Sequence, residues 1–389
     1  MPMNAMQQGV ICLLKSAITG EAEQLPQNFS LEQAIELLRK QGLLPLAYQG
    51  ARNCGISQNE PIMQKLLTHY YQHMVRNERQ MRGVQRVMDA LEQANIDYLP
   101  VKGCNMKYLY PKPELRIMGD ADILIRREDF ARCAPIMEQL GFCRKVESDH
   151  TDNWSSADLY LELHKSLVPP EDADYYAYYG TGWDKAVQTR SHRYDLSPED
   201  TFIFLFTHFA RHYRISGIGC RHVADLFVYR KAYPQLNEDY IRAELKKLKL
   251  LTFYENTLRL LSVWFGGETG DEITELMSAF IFSGGSWGTM EAGLYAQELK
   301  KSREKGQGSG AKRRSWLRAL FPPLSMIGNR YPVLKRAPVL LPVMWVVRWL
   351  DVLLFSRKKM QKKLQILRKL DDNAILSHQQ AMSAVGLEQ

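Results

Sequence analysis

The feature that most restricts this chain is Gly119-Asp120-Ala121-Asp122-Ile123-Leu124-Ile125. Two carboxylates running directly into three apolar β-formers predict a buried strand with both acids at its mouth. Side chains alternate along a strand, so Asp120 and Asp122 project to the same face. There they are placed to share one hard cation such as magnesium, which takes oxygen ligands and usually keeps phosphates as further partners. Just upstream, Tyr98 to Val101 leads into a Lys102-Gly103 turn, which offers an anion a close backbone approach and a positive charge.

The flanking sequence predicts an α+β arrangement around that strand. Ile96 to Val101 reads as a strand, with Pro100 marking a sheet edge or a strand end. Arg127 to Leu140 reads as a helix, kinked at Pro135 and closed by Gly141. Phe142 to Val146 is a third strand. Leu159 to Leu167 alternates, with Tyr160, Glu162, His164 and Ser166 on one side; beside the Asp strand, Glu162 completes a carboxylate cluster. Residues 5–95 read as helical. Leu31, Ala34, Ile35 and Leu38 form a stripe behind the N-cap Ser30, Gln33 is placed to close a capping box, and a long helix is expected over 60–94. A new helical pattern starts at Ser197-Pro198-Glu199-Asp200 and runs to about residue 300. The expected domains are a helical N-terminal region (1–95), an α/β catalytic domain (96–190), a helical domain (197–300) and a basic, Pro-interrupted helical tail (301–389). The expected fold class is α+β, a small mixed sheet with flanking helices, a helical N-terminal layer and a helical C-terminal domain.

Charge and cysteine usage exclude some functions. The six cysteines are scattered without a C-x-x-C pair, which argues against a zinc site or a disulfide scaffold and for a reducing compartment. The first residues lack a basic stretch followed by a long apolar one, so a cytoplasmic protein is expected. The net charge of +8 is unevenly placed: residues 300–369 hold 19 Lys and Arg against 2 acids, which leaves the rest of the chain near −9. Long-range attraction to anionic partners therefore belongs to the tail. Lys300 to Arg314 reads as an exposed linker. Residues 339–355 are apolar but interrupted by Pro342, Arg348 and Asp351, too short and too charged to span a bilayer. With Arg357-Lys358-Lys359 and Lys362-Lys363 beyond, three readings stand: ordinary helical packing, a helix on a membrane surface, or a nucleic-acid contact.

Taken together, Lys102-Gly103, Leu109-Tyr110-Pro111, Arg116 to Ile125 and Glu162-Leu163-His164 resemble the uncharacterised nucleotidyltransferase family of the DNA polymerase beta superfamily, related to the abortive-infection toxin nucleotidyltransferases. The resemblance implies a nucleotidyltransferase-type sheet and transfer of a nucleoside monophosphate from an NTP such as ATP to an acceptor, with release of pyrophosphate. It implies Mg2+, with Mn2+ as an alternative, held by Asp120, Asp122 and Glu162; Glu162 would also deprotonate the acceptor hydroxyl. Lys102, Gly103, Asn105 and Arg116 are the implied nucleotide contacts. Arg116 either reaches the phosphates or ties its loop to a carboxylate. The superfamily's Gly-Gly or Gly-Ser is replaced here by Lys102-Gly103-Cys104-Asn105, so Asn105 would stand in for the hydroxyl. His164 is either a cleft residue or a hydrogen-bonded structural one. Arg221 and Asp225, four apart on a helix, suit an ion pair, with Arg221 as an additional nucleotide contact. The acceptor is left open among a small molecule, a protein and RNA, with peripheral membrane or partner contact through the tail. The alternative function is a degenerate transferase that only binds a nucleotide, a partner or a membrane.

Overall fold

The computed structural model describes residues 3–215, 217–285, 320–327, 331, 333–355 and 372–387. By compactness the chain forms two units, one of residues 1–211, 218–286 and 385–387, the other of 212–217, 287–384 and 388–389.

The first unit opens with helices. α1 (Ala5–Thr19) starts at a full capping box between Asn4 and Gln7. α2 (Leu31–Lys40) starts at the expected N-cap Ser30, whose Oγ accepts from the Gln33 backbone N–H, but the Gln33 side chain does not reach back to close the expected capping box. α3 (Leu44–Asn53) follows, then the long α4 (Pro61–Gln93), with Pro61 in its first turn.

A five-stranded mixed sheet comes next, in the order β1-β2-β5-β4-β3. β1 (Tyr98–Val101) and β2 (Ala121–Ile125) pair antiparallel. The short α5 (Gly103–Met106) begins the connection between them. α6 (Phe130–Gln139) contains Pro135, and Gly141 beyond its end takes the left-handed backbone at φ 84°. β3 (Cys143–Glu147), β4 (Thr151–Ser155) and β5 (Tyr160–His164) form an antiparallel meander, and β5 lies parallel to β2. β4 is a strand that the sequence analysis leaves out. Pro100 does sit on an edge strand of this sheet.

The chain then forms α7 (Ala173–Tyr179) and a hairpin of β6 (Ala186–Gln188) and β7 (Tyr194–Leu196). This hairpin leans on β1: the Tyr98 N–H donates to the His192 carbonyl at 2.9 Å, and Tyr98 bridges Arg193. The sheet's surroundings therefore reach past residue 190, the boundary expected from sequence. α8 (Pro198–Ile215), α9 (Cys220–Ala232), α10 (Glu238–Lys247), α11 (Leu251–Leu261) and α12 (Glu272–Ser283) complete the described helices up to residue 285.

Alternation along β2 and β5 divides the sheet into two faces. Ala121, Ile123, Ile125, Leu161 and Leu163 are buried against Val84, Val87 and Leu91 of α4 and Cys133 and Met137 of α6. Removal of such side chains from water is the main favourable contribution to folding. Asp122, Glu162 and His164 are carried on the opposite face. In the second unit, Leu341–Phe355 is a helix whose Trp345 and Trp349 indoles donate to the Pro322 and Leu320 carbonyls. No helix among the described residues is long and apolar enough to cross a membrane. The expected linker at 300–314 and the basic run at 357–363 lie outside the described residues.

Candidate active site

The site is assembled by strand register. In the parallel pair, Asp122 of β2 stands opposite Glu162 of β5, and Leu124 opposite His164. Single ligand atoms of Asp122, Glu162 and His164 all lie within 4.8 Å of one another, the one such group among the described residues. Two carboxylates and an imidazole suit a divalent cation, the oxygens favouring magnesium and the nitrogen admitting manganese or zinc. The arrangement fits a cation centre, although its third close member is His164 where the sequence analysis names Asp120.

Asp120 stays within electrostatic reach. Burial, and then the charge of Asp122, push its carboxyl above the usual range. Asp122 goes the other way: burial alone would raise it, but Lys102 and His164 outweigh that and hold it well below the ordinary carboxylate value. One carboxyl is thus held ionised while its neighbour resists ionisation, as expected when like charges crowd a buried site.

A single oxygen of Asp122 holds two partners. Oδ1 lies 2.7 Å from Lys102 Nζ and 2.8 Å from His164 Nε2. Nε2 also lies 3.5 Å from Glu162 Oε2. Burial opposes a charge on the imidazole, yet the bonds to Asp122 and Glu162 raise its pKa above the ordinary histidine value. His164 is therefore both near the cleft and fixed by hydrogen bonds. The other Glu162 oxygen accepts from Asn153 Nδ2 at 2.9 Å. Asn153 lies on β4, so its part was hidden together with that strand.

The turn before α5 is strained. Lys102 has φ 49° and ψ −115°, a conformation suited to glycine, and such a residue costs about 1–3 kcal/mol. Gly103 is closely packed: a Cβ there would meet the Met118 side chain at 3.1 Å and Arg116 Nη1 at 3.2 Å, and those side chains would have to give by a few tenths of an ångström. Cys104 is buried, and burial followed by the Asp122 charge pushes its thiol up to about 12, so it is no nucleophile. Asn105 donates from Nδ2 to the Pro100 carbonyl at 2.8 Å, which ties α5 to β1.

Arg116 resolves to one of its two readings. Its guanidinium makes a buried two-point pair with Asp225 of α9, Nε to Oδ1 at 2.7 Å and Nη2 to Oδ2 at 2.9 Å. It ties its loop to a carboxylate. Tyr110 Oη donates to the same Asp225 Oδ1 at 2.8 Å. Arg221, the expected i,i+4 partner, lies close enough to act on Asp225 electrostatically, while the two-point partner comes from the loop, because a planar guanidinium matches both carboxylate oxygens. Arg221 donates from Nη1 to the Ile117 carbonyl at 2.7 Å, and it is close enough to Asp120 to act on it electrostatically. Lys107, which sequence reasoning missed, is fully buried beneath the loop and donates to the carbonyls of Arg116 at 2.5 Å and Pro113 at 3.3 Å.

Comparison with known proteins adds to this geometry. A family model described as an uncharacterised nucleotidyltransferase matches residues 27–266, more than half of the chain. Among solved structures, the solution structure of the antibiotic-resistance factor ANT(2'')-Ia is similar, at 12% identity and a TM-score of 0.32, over 49% of this chain and all of that one. That likeness is too slight to carry an argument. None of the curated proteins compared matches.

Proposed function

Because the chain belongs to the uncharacterised nucleotidyltransferase family, we propose that it moves a nucleoside monophosphate from an NTP to an acceptor hydroxyl and releases pyrophosphate. The observation that carries this reading is the parallel register that sets Asp122 against Glu162, with His164 completing a group of ligand atoms within 4.8 Å. Asp122, Glu162 and His164 would hold a divalent cation, Mg2+ or Mn2+, with Asp120 as the adjoining carboxylate. A bound cation would neutralise phosphate charge and orient the triphosphate.

The chain's own groups supply the remaining chemistry. The acceptor oxygen bonds to the α-phosphorus, the bond from that phosphorus to the bridging oxygen breaks, and pyrophosphate leaves. Glu162, the more exposed carboxylate, takes the hydroxyl proton. Asn153 and His164 fix its orientation. Lys102, drawn off Asp122, provides a cation for the phosphates. Gly103 keeps the turn open to close approach, and Arg116, Asn105 and Asp225 position that turn rather than touch nucleotide.

A second reading, binding without transfer, is favoured by the Lys102–Asp122 pair and by Cys104 where the superfamily has a small residue. Calorimetry with each NTP, with and without Mg2+, separates the two when combined with an assay of pyrophosphate release. Transfer predicts Mg2+-dependent binding that Asp122→Ala abolishes, and turnover once an acceptor is supplied. Cation-independent binding that survives Asp122→Ala would favour the second reading; no binding by a folded wild type would sink both.

A further inference from the structure

The acceptor is not given by the family, but the surface beside the carboxylates bears on it. α4 exposes Arg76, Arg79, Arg82 and Arg86. At 3.6 residues per turn these fall on one broad face together with Gln72 and Val75, and span about 15 Å of helix. Glu78 pairs with Arg82 at 3.2 Å, and Asp158 lies 3.8 Å from Arg79. Among the described residues no carboxylate pairs with Arg76 or Arg86. The chain outside 300–369 is net acidic, so four arginines on one face of α4 do not follow from its overall composition.

Two cavities border the face. One of about 370 Å³ is lined by Arg76, Arg79, Gln80, Gly119 and Tyr160 among others. One of about 520 Å³ continues past Arg79, Arg82 and Arg86 toward Gly141. Arg79 and Asp158 border both. None of the site carboxylates lines the first cavity, but it borders residues next to them in the chain. Gly119 precedes Asp120, and Tyr160 lies two residues before Glu162 on the same face of β5, about 7 Å along the strand. Asn153 Nδ2 bonds both Tyr160 Oη at 3.1 Å and Glu162 Oε1 at 2.9 Å. On the cavity wall Gln80, 1% exposed, donates to the Met118 carbonyl at 3.1 Å, while its Oε1 has no hydrogen-bond partner. That oxygen suits a ribose hydroxyl or a base amine. Val75 and Tyr71, 49% and 53% exposed, offer apolar surface for bases to rest on.

We propose that the acceptor is a single-stranded polynucleotide whose backbone lies along Arg86, Arg82, Arg79 and Arg76 on α4 and whose terminal hydroxyl passes the rim of the sheet beside Gly119 and Tyr160 to reach Glu162 on the other face. This rests on the transferase reading above. At 3.4 Å of axis per phosphate in a stacked strand, 15 Å accommodates roughly four to five phosphates, a match to four guanidinium groups. A small acceptor has no use for such a track. The terminal oxygen bonds to the α-phosphorus of the NTP, pyrophosphate leaves, the proton goes to Glu162, and the strand leaves one nucleotide longer.

The test is fluorescence anisotropy of the full chain with a short labelled single-stranded RNA across a salt series, comparing wild type with Arg76→Ala/Arg86→Ala. Both side chains are exposed and lack carboxylate partners, so the variant should fold, which thermal unfolding checks. The expected result is an affinity about tenfold lower at low salt and a salt slope shallower by about 1.4, at about 0.7 per lost phosphate contact. Binding that ignores both substitutions and disappears when Lys358, Lys359, Lys362 and Lys363 become Gln would overturn the proposal. Equally tight binding of a polyglutamate peptide would overturn it too. NTP binding by the wild type, measured alongside, separates the two readings. RNA binding through the arginines without NTP binding removes the transferase reading and with it the acceptor role, whereas NTP binding with arginine-independent RNA binding removes this inference alone.

Discussion

Lys102 sets a backbone cost against a side-chain gain. Its φ of 49° belongs to glycine, yet its ammonium neutralises Asp122 in a site where an uncompensated charge would be costly. The ammonium occupies the same Oδ1 that a cation would need, so the two compete. Lys102→Met should therefore tighten Mn2+ binding by about tenfold in a titration without nucleotide, a shift of about 1.4 kcal/mol. Unchanged Mn2+ affinity would show that the lysine does not guard the site. Lys107 gives a pH signature away from the carboxylates. Burial, with Arg116 and Arg221 nearby, lowers its pKa to about 7, against an ordinary value of 10.5. Between those values the unfolded chain binds the proton and the folded chain does not, so this residue makes stability rise with pH above about 7. The stability of wild type relative to Lys107→Met, followed by urea unfolding at several pH values, should be lowest near pH 6 and climb toward pH 9. A flat difference would mean that Lys107 is charged in the folded protein.

Among the elements, the connection from β1 to β2 depends on one long-range clamp. Arg116 and Asp225 are 109 positions apart in sequence and nearly inaccessible, with side chains 7% and 8% exposed. Asp225→Ala leaves a buried guanidinium without its counter-charge and Tyr110 without its acceptor, and should cost about 3–5 kcal/mol in urea unfolding. Replacing both partners, Arg116→Met with Asp225→Leu, should recover most of that, since paired apolar groups avoid the unmet desolvation. A loss below about 1 kcal/mol in the single variant would show the clamp to be dispensable. This pair also marks where the sequence stops being readable. β2 and β5 are legible because strict alternation and apolar runs repeat at short range, and their facing carboxylates come with them. β4 is not: Thr151-Asp152-Asn153-Trp154-Ser155 has one large apolar residue among polar ones, and only pairing with β5 makes it a strand. His164 was visible as a candidate, but its preference for Asp122 over solvent follows from register. The two-point pairing of Asp225 with Arg116 is tertiary: helical spacing points to Arg221, which does act on Asp225 electrostatically, but it gives no sign of a guanidinium 109 positions away.

Over the whole molecule, charge and burial divide the chain differently. Charge separates 300–369, at +17, from a remainder near −9, and sequence analysis accordingly takes 301–389 as one tail. Burial does not follow that boundary. Val385–Leu387 group with the first unit, Val385 and Leu387 are 0% and 1% exposed, and Asn256 donates to the Val385 carbonyl at 3.0 Å. Gly386 holds φ 86°, and a Cβ there would lie 2.7 Å from the Phe253 nitrogen and from the Thr252 side chain. Three residues with two apolar side chains carry too little pattern to be recognised in sequence, yet they close over α11. At about 1.5–3 kcal/mol for each fully buried side chain, removing residues 385–389 should cost the first unit about 3–6 kcal/mol. Replacing Lys358, Lys359, Lys362 and Lys363 with Gln removes four charges and no apolar side chain, and should move stability by no more than about 0.5 kcal/mol. Urea unfolding of the two variants side by side decides between burial and charge as the tail's contribution to the fold. If the shortened chain unfolds with wild type while the neutralised one falls, the tail acts through its charge, and the packing of Val385 and Leu387 contributes nothing.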